Sequence, residues 1–585
     1  MNERIRFFQT ISPRWLLLAG VLLLLWRLNY APLWNPDEGR YASAAREMLQ
    51  PFDGKPANWV VPHLNSIPRL NKPPLVYWLG ALSMNVFGFH AGSVRLVSAL
   101  AAIGVMWLLF VIGRRMFGER AGIASALIWA TSLFPFGMAR VYNTDMLLCA
   151  STALAFCGIW LSIEGGCSES KPQKYNRIPA YLLAGAGMGL ALLAKGPVGM
   201  ALPLLICFVY LTVARRWKFV PVGGVILALL LAVAIAAPWF YFVEQRVPGF
   251  LHRFIIEENL GRFSGKEDFH DPTPFWFYVP VLILGLLPWT AFLAPAIARL
   301  SSHKADTDAQ RARLFLWLWA LLLIGFFSLS STKLVSYILP AFPALALLLG
   351  DALGQAVDDV KRAWPATTRG ITIAVTLTFN LILVAVALYY LLNNRTLPRA
   401  EASPYAVAVS LIVLTQSGFL LYFWRRRNVW RMFCTQMFAA AALFCTILGV
   451  AGHIAPYEDA SPMFQALKPH LKEGDRFLEY RTFQPTAIFY LQRTVPLVEF
   501  VNNSGLDESH PNFKKLYLRE DAAFKRLLAE PVPTYILVRW KHRQVIKAPP
   551  QYQMVASNND YFLLSNHPKE FPLSHDFRAP AKRNR

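Results

Sequence analysis

The sequence predicts an α-helical protein that crosses a membrane many times and carries a small α/β domain at its C-terminal end. Of its 585 residues, 55% are hydrophobic and only 16% are charged, whereas soluble domains carry roughly 25% charged residues. The apolar residues also fall into runs of about 17–25, which is the length that spans a hydrocarbon layer. These observations exclude a soluble enzyme, a fibrous protein and a disordered scaffold. The formal net charge of +23 suits a protein that works among anionic lipids.

Breaker residues divide the apolar sequence into thirteen predicted spans. Their ranges are 15–30, 92–113, 121–139, 145–163, 178–194, 198–214, 219–243, 276–298, 314–331, 334–350, 370–392, 404–424 and 432–453. A further apolar stretch, 75–89, is shorter and follows Lys72 closely. We interpret it as an amphipathic helix in the membrane interface, with Tyr77 and Trp78 at the level of the lipid headgroups.

The distribution of basic residues predicts a cytoplasmic N-terminus. With that orientation the inward segments carry 23 Lys and Arg residues and the short outward loops carry five, as the positive-inside rule describes. Counting 75–89 as a span would reverse this asymmetry. The predicted domains are a transmembrane domain over 1–453, with periplasmic loops at 31–91 and 244–275, and a soluble periplasmic domain over 454–585.

The C-terminal segment has the pattern of a small α/β domain. Short apolar runs at 477–480, 534–540 and 561–564 alternate with polar turns, and 521–529 has a helical pattern. The sequence contains no P-loop and no glycine-rich nucleotide fingerprint. This argues against a nucleotide-driven pump and against an enzyme that uses nucleotide sugars.

The first outward loop begins with an acidic motif at 34–41 that contains Asp37, Glu38, Arg40 and Tyr41. Ionisable residues at membrane depth are costly, so they indicate function by default. An alternative is that the carboxylate of Asp37, or the amide of the nearby asparagine at position 35, caps the helix that follows. The two interpretations are compatible, because a capped helix holds its carboxylate rigidly.

Basic residues in the outward segments form a second group. They are Lys72, Arg140, Lys195, Arg262 and Lys333. Because the orientation rule predicts few cations there, a shared role in binding phosphate on the outer face explains them economically. For each single lysine the alternative is that it extends its ammonium to the headgroups. Asp145 either orients a cation or a substrate hydroxyl, or places its carboxylate at the positive end of the following helix.

The third outward segment, 250–263, predicts a short interfacial helix over the site. Within it, His252 with Glu257 or Glu258 could reach a metal ion. The alternative is that the histidine is simply hydrogen-bonded to a carboxylate. We expect no required cofactor, and these three residues are the candidates for a divalent metal.

An ordered set of short motifs resembles the GT-C membrane glycosyltransferases of the protein O-mannosyltransferase type, and among them the lipid A aminoarabinose transferases. The motifs are Pro36-Asp37-Glu38-Gly39-Arg40-Tyr41, Arg46-Glu47-Met48-Leu49, Val61-Pro62-His63-Leu64, Lys72-Pro73, Tyr77-Trp78, Lys195-Gly196, Arg262-Phe263, Pro274-Phe275-Trp276, Leu287-Pro288-Trp289, Lys333-Leu334 and Tyr337-Ile338-Leu339. The likeness covers about 1–350. This chain departs from the family pattern at Asn71, where many members have Glu, and at Glu257, where some have His.

The resemblance implies an inverting inner-membrane transferase that moves an amino sugar, expected to be 4-amino-4-deoxy-L-arabinose, from undecaprenyl phosphate to a lipid A phosphate on the periplasmic side. Such a modification lowers surface charge and gives resistance to polymyxin. It implies Asp37 as the catalytic residue. The residues implied for the donor phosphate are Lys72, Arg262 and Tyr337, supported by Lys195 and Lys333. The residues implied for positioning the acceptor or the sugar are Arg40, Tyr41 and Asp145.

Three other functions stay open at this point. A transferase of the same architecture could glycosylate protein Ser or Thr hydroxyls or another envelope glycan, with Asp37 as general base. A transporter or flippase would place paired charges in mid-span and repeat its two halves, and a receptor would have an inactive site. The expected partners are the lipid-linked sugar, lipid A and membrane lipids, with no nucleic acid, and the expected state is a monomer.

Overall fold

The computed structural model describes residues 13–52, 56–165, 176–261, 273–297, 307–358, 366–393, 396–502, 506–520, 522–546, 548–568 and 575–576. The helices of its membrane part are α1 (Pro13–Leu25), α2 (Asp37–Leu49), α3 (Leu75–Phe87), α4 (Ala91–Phe117), α5 (Glu119–Ala130), α6 (Leu133–Met138), α7 (Thr144–Glu164), α8 (Ile178–Lys195), α9 (Val198–Val213), α10 (Val222–Arg246), α11 (Phe250–His252), α12 (Tyr278–Gly285), α13 (Leu293–Ile297), α14 (Asp308–Leu329), α15 (Phe342–Asp358), α16 (Ala366–Asn393), α17 (Arg399–Arg425) and α18 (Val429–Glu458).

Shorter helical turns join these elements. A π-helical turn, Arg253–Gly261, continues α11. The 3-10 turns are Trp217–Phe219, Phe275–Phe277, Thr290–Phe292, Val335–Ala341, Lys468–His470 and Trp540–His542. The helix predicted within 250–263 is therefore present, in α11 and its π-helical continuation.

The predicted polytopic helical fold is confirmed. Among the described residues, nine helices are long and apolar enough to cross a membrane, and a bent helix pair brings this to ten. The shorter apolar helices Arg14–Leu25, Leu75–Phe87 and Val198–Val213 are additional. Each of the thirteen predicted spans coincides with a helix or a helix pair, and the number of actual crossings stays a prediction.

Two predicted spans are not single helices. The range 121–139 is divided into α5 and α6, and Ser132 between them donates its hydroxyl to the carbonyl of Ile128 at 2.7 Å. The range 276–298 bends by 105° between its halves. Pro288 lies at this break, and proline cannot donate the hydrogen bond that would continue the helix.

The first outward loop folds into α2, a two-stranded antiparallel hairpin and α3. The hairpin strands are β1 (His63–Leu64) and β2 (Ile67–Pro68). The expectation that Tyr77 lies at headgroup level is wrong, because its side chain is fully buried and its ring lies 5.9 Å from the ring of Tyr41. Helix α3 therefore buries one face against α2, while its opposite face, including Val86, is exposed.

The predicted C-terminal α/β fold is also confirmed. Its helices are α19 (Ser461–Leu467), α20 (Pro485–Leu491), α21 (Pro511–Leu516) and α22 (Ala522–Ala529). Its strands are β3 (Arg476–Tyr480), β4 (Leu497–Val498), β5 (Tyr517–Leu518), β6 (Thr534–Arg539), β7 (Gln553–Ser557), β8 (Tyr561–Ser565) and β9 (His575–Asp576). They form one sheet in the order β5-β4-β3-β6-β8-β7-β9. The strands β3, β6 and β8 are the three apolar runs that the sequence indicated.

Helix α2 packs tightly between the membrane helices and this sheet domain. A Cβ atom at Gly39 would lie 2.8 Å from a methyl carbon of Thr486, so only glycine allows the close approach of α2 to α20. Ser43 donates its hydroxyl to the carbonyl of Pro485 at 2.7 Å. The sheet domain is thus a direct support of the acidic motif.

Candidate functional site

A buried ion pair fixes the start of α2. The Glu38 carboxylate accepts hydrogen bonds from Arg95 Nε at 2.9 Å and Nη2 at 2.6 Å, and from the backbone N–H groups of Trp34 and Tyr142. Arg95 also donates to the carbonyls of Leu28, Ala31 and Pro32. Because both side chains are almost fully buried, this network specifies where the acidic motif sits on α4 and α7.

Asp37, the predicted catalytic residue, occupies the first turn of α2. Its side chain is 67% exposed and lies 3.5 Å from the guanidinium of Arg40. The capping alternative is wrong, because Pro36 occupies the cap position without a side-chain hydrogen bond. Asn35 instead donates to Thr486 Oγ1 at 2.6 Å. Asp37 therefore presents an accessible carboxylate, with a cation beside it, at the positive end of the helix dipole.

Arg69, which the sequence reasoning missed, lies beside these residues. It follows β2, and its backbone N–H donates to the Pro62 carbonyl at 2.8 Å. Burial and the charge of Arg69 lower the pKa of Arg40. Burial chiefly, followed by Tyr77 and Asp37, raises the pKa of Tyr41, so its phenol stays neutral at physiological pH. Asp37 thus has the Arg40 cation beside it, and Arg69 acts as a second cation on Arg40 and Tyr41, which is an environment for anionic groups.

A second set of predicted residues converges at the ends of α7 and α8. The Lys195 ammonium donates to Asp145 Oδ1, and both side chains are about nine-tenths buried. The same ammonium lies 4.2 Å from the ring centroid of Tyr337, a cation–π distance. Asn143 caps α7 through its side chain, and Asp145 lies in the first turn of the same helix. Its carboxylate is therefore at the positive end of the helix dipole, as the alternative describes, and it also binds the Lys195 ammonium. Asp145 also acts on the pKa of Tyr41, which links the two sets.

Three of the basic residues take other places or cannot be located. Arg140 is buried and bonds to the carbonyls of Leu23, Trp26 and Phe136, so its inclusion in a phosphate-binding group is wrong. Lys333 is also buried and donates to the carbonyls of Thr273 and Ser330. Arg262 lies outside the described residues.

Lys72 is half-buried directly before the first turn of α3. Its neighbour Asn71 donates to Glu258 Oε1 at 2.6 Å, which brings the π-helical turn over the start of α3. His252 Nδ1 lies 4.0 Å from Glu257 Oε1, and both side chains are more than half exposed. Among the described residues, no group of three or more His, Cys, Asp and Glu side chains is placed to hold a metal ion.

An apolar groove of about 770 Å³ runs along the helices that carry Asp145 and Lys195. It is lined by α3, α4, α7 and α8, from Leu75 and Leu79 through Leu147 to Leu190. Leu75 is three residues after Lys72, and Leu190 precedes Lys195 by five residues on the same helix. Apolar side chains at its rim, such as Trp107, are exposed. The groove can therefore hold a long hydrocarbon chain whose polar end reaches the lysines.

Comparison with known proteins assigns this arrangement to a family. Residues 71–242 match the family described as dolichyl-phosphate-mannose-protein mannosyltransferase. The undecaprenyl phosphate-alpha-4-amino-4-deoxy-L-arabinose arabinosyl transferase of Enterobacter sp. (strain 638) is 34% identical over 58% of this chain and 59% of its own. The undecaprenyl phosphate-alpha-4-amino-4-deoxy-L-arabinose arabinosyl transferase 1 of Pseudomonas fluorescens (strain Pf0-1) is 31% identical over 70% of this chain and 69% of its own length. The chain belongs to the family of these undecaprenyl phosphate-alpha-4-amino-4-deoxy-L-arabinose arabinosyl transferases. The match spans about three fifths of the Enterobacter arabinosyl transferase.

Solved structures show the same fold over nearly the whole chain. A crystal structure of ArnT from Cupriavidus metallidurans bound to undecaprenyl phosphate has a TM-score of 0.77 at 23% identity, and covers 95% of this chain and 98% of that chain. The apo crystal structure of the same transferase has a TM-score of 0.78. The resemblance inferred from the ordered motifs is therefore confirmed, and the C-terminal sheet domain belongs to the shared fold.

Proposed function

We propose that this protein transfers 4-amino-4-deoxy-L-arabinose from undecaprenyl phosphate to a phosphate of lipid A on the periplasmic side of the inner membrane. The observation that carries the proposal is that α7 and α8, which line the apolar groove, also carry the two members of the Asp145–Lys195 pair. A polyprenyl chain in the groove would bring its phosphate to Lys195 and Lys72. The names of the relatives, which are arabinosyl transferases of undecaprenyl phosphate-aminoarabinose, support this donor.

The leaving phosphate gains charge as the bond to the sugar breaks. Preorganised donors aimed at developing charge usually make the largest contribution to catalysis. Lys195 is suited to this role because Asp145 and the ring of Tyr337 already hold its ammonium in place. Tyr337 completes the phosphate site, and Arg262 is proposed for it by resemblance.

The acceptor would approach from the side of α2. A phosphate acceptor is already ionised near pH 7, so its oxygen attacks the sugar carbon without a general base, from the face opposite the leaving phosphate and with inversion, through an oxocarbenium-like state. Arg40 and Arg69 would hold the acceptor phosphate. Asp37 would stabilise the positive charge that develops near the sugar carbon. Both lipids lie in one membrane, and this replaces a bimolecular encounter with proximity.

The test measures transfer in vesicles that contain the full chain, the lipid-linked sugar and lipid A. Lipid A is expected to gain the mass of one aminoarabinose, and Asp37→Asn is expected to lower the rate at least a hundredfold while the chain inserts normally. Lys514→Ala, an exposed position on α21, is the matched control and is expected to retain wild-type transfer. Unchanged lipid A, or full activity of Asp37→Asn, would contradict the proposal.

A second acceptor class is favoured by one observation. The matching family is described as a dolichyl-phosphate-mannose-protein mannosyltransferase, and in that description the acceptor is a protein. In that case Asp37 would act as general base toward a Ser or Thr hydroxyl, a contribution of roughly 10²–10⁴-fold. The same vesicles with a Ser- and Thr-rich peptide in place of lipid A separate the two acceptors, because only one of them is expected to gain the sugar.

A further inference from the structure

A polar cleft of about 570 Å³ lies between the first outward loop, the end of α10 and the C-terminal sheet domain. No role discussed so far uses it. The loop contributes Trp59 and His63, α10 contributes Arg246, and α21 with its cap contributes Asn512 and His510. The walls combine aromatic faces with several convergent polar groups, which is the composition of a site for a polar organic ligand.

The cleft is held in shape by its own hydrogen bonds. Arg246 Nη1 donates to Asn58 Oδ1 at 3.2 Å, and Asn512 Nδ2 donates to the Ser66 carbonyl at 2.8 Å. The buried carboxylate of Glu47 accepts the backbone N–H groups of Asn65 and Ser66. These contacts join the loop, α10 and the sheet domain, so the cleft is a built feature of the domain boundary.

The chemistry of the lining indicates the class of ligand. Arg246 is a permanent cation, and the two histidines add donors that suit a phosphate. The ring of Trp59 is 38% exposed and offers a flat surface of the kind that covers the apolar face of a sugar. A phosphorylated sugar satisfies both features at once.

The position of the cleft relates it to the reaction centre. Arg40 and Glu47 are seven residues apart on α2, so they share one face of the helix at a separation of about 10 Å. The hairpin also connects the cleft with the surroundings of Arg40. His63 of β1 lines the cleft, and Arg69, which follows β2, acts on the charge of Arg40. This spacing is comparable with the length of a disaccharide.

We propose that the cleft binds the distal sugar phosphate of an acceptor that is a disaccharide phosphorylated at both ends, while the proximal phosphate reacts near Arg40 and Arg69. This proposal rests on the proposed function, and it gives the C-terminal domain a role in acceptor selection. Together the two phosphate sites select acceptors whose two phosphates are separated by the right distance. An acceptor with one phosphate loses the contacts in the cleft.

Binding is tested first, with the full chain in detergent and a deacylated diglucosamine that carries either two phosphates or one. The doubly phosphorylated probe is expected to bind about tenfold more tightly, the effect of one charge-assisted hydrogen bond. Arg246→Gln, which can still donate to Asn58, is expected to abolish the preference. Lys514→Ala, on α21 but outside the cleft lining, is expected to keep it. Equal affinities in the wild type, or a preference that survives in Arg246→Gln, would overturn the proposal.

Two further measurements keep the outcomes distinct. Trp59→Ala removes an exposed ring and is expected to weaken both probes severalfold, and unchanged affinity would contradict the sugar-binding wall. In the vesicle assay, Arg246→Gln is expected to raise the acceptor KM about tenfold with kcat and the donor KM within twofold. If the wild type transfers to no acceptor, the proposed function fails, and the binding measurements still decide the cleft. Comparing the affinity of the acylated acceptor in vesicles with that of the soluble probe shows whether the lipid or the free sugar phosphate is the ligand.

Discussion

The ion pair between Glu38 and Arg95 predicts how strongly the site depends on one buried carboxylate. In Glu38→Gln the side chain keeps its shape and loses its charge. One amide oxygen can accept the two donors that Glu38 Oε1 accepts, Arg95 Nε and the N–H of Tyr142. The amide nitrogen then replaces Glu38 Oε2, which accepts from Arg95 Nη2 at 2.6 Å and from the N–H of Trp34 at 3.0 Å. An amide nitrogen cannot accept from either donor.

The expected cost follows from these contacts. Two hydrogen bonds are lost between buried groups, and the Arg95 cation keeps only carbonyl partners. Removing one partner of a buried ion pair costs about 3–5 kcal/mol, which includes the unsatisfied donors. For a chain of this length we expect the thermal midpoint in detergent to fall by roughly 3 °C. Transfer per folded molecule is expected to fall as well, because the first turn of α2 with Asp37 is no longer fixed.

A second buried carboxylate provides the matched control. Glu164, at the other end of α7, accepts hydrogen bonds from Arg216, Arg311 and Tyr210. Glu164→Gln is expected to lower the thermal midpoint by a similar amount and to leave the KM values of the folded fraction unchanged. Scanning calorimetry and the vesicle assay measure the two effects. A wild-type midpoint for Glu38→Gln, or equal transfer per folded molecule for the two variants, would refute the reasoning.

Three further predictions concern the donor site, the missed arginine and the sheet domain. Lys195→Met is expected to raise the donor KM at least tenfold in the vesicle assay, since it removes the cation at the end of the groove; an unchanged donor KM would reject that role. Arg69→Lys is expected to raise the acceptor KM severalfold at constant donor KM, because an ammonium cannot reproduce a planar guanidinium; a purely structural role would change both. Burial raises the pKa of Glu479 well above the ordinary value of 4.5, so the folded state binds its proton more tightly and stability falls as pH rises above that value. Glu479→Gln is therefore expected to raise the thermal midpoint more at pH 8 than at pH 5, and an equal change at both would contradict this.

Most of the fold could be predicted from the sequence, because hydropathy and the alternation of apolar and polar residues are local signals. Runs of apolar residues gave helices at the predicted places, and the run at 534–540 became the central strand β6. The bend at Pro288 and the division near Ser132 were not predicted, because a bent span has the same mean hydropathy as a straight one. The acidic motif and Lys195 were found for a similar reason, since charges beside apolar runs are conspicuous.

The contacts that organise the site could not be found in this way. Glu38 and Arg95 are 57 residues apart, and Arg69 follows a two-stranded hairpin that has no strong pattern in the sequence. Arg140 satisfied the same local criterion as Lys195, yet its guanidinium bonds to the carbonyls of α1 and its neighbours. The local sequence shows that a charge lies at the membrane boundary, and only tertiary packing decides whether that charge meets a backbone carbonyl or an open site.

The C-terminal domain is the clearest case of a role that only packing reveals. Its residues contact the acidic loop through side chains more than 400 positions away: Thr486 bonds to Asn35, Tyr490 OH accepts the N–H of Leu33 at 2.9 Å, and the carbonyl of Val495 accepts Asn65 Nδ2 at 2.8 Å. These bonds hold the segment directly before Asp37 and the hairpin that leads to Arg69. The geometry of the reaction centre therefore depends on the sheet domain as much as on the membrane helices. The sheet domain clamps the loop through these bonds, and the loop, which contains no cysteine, keeps its shape without a disulfide.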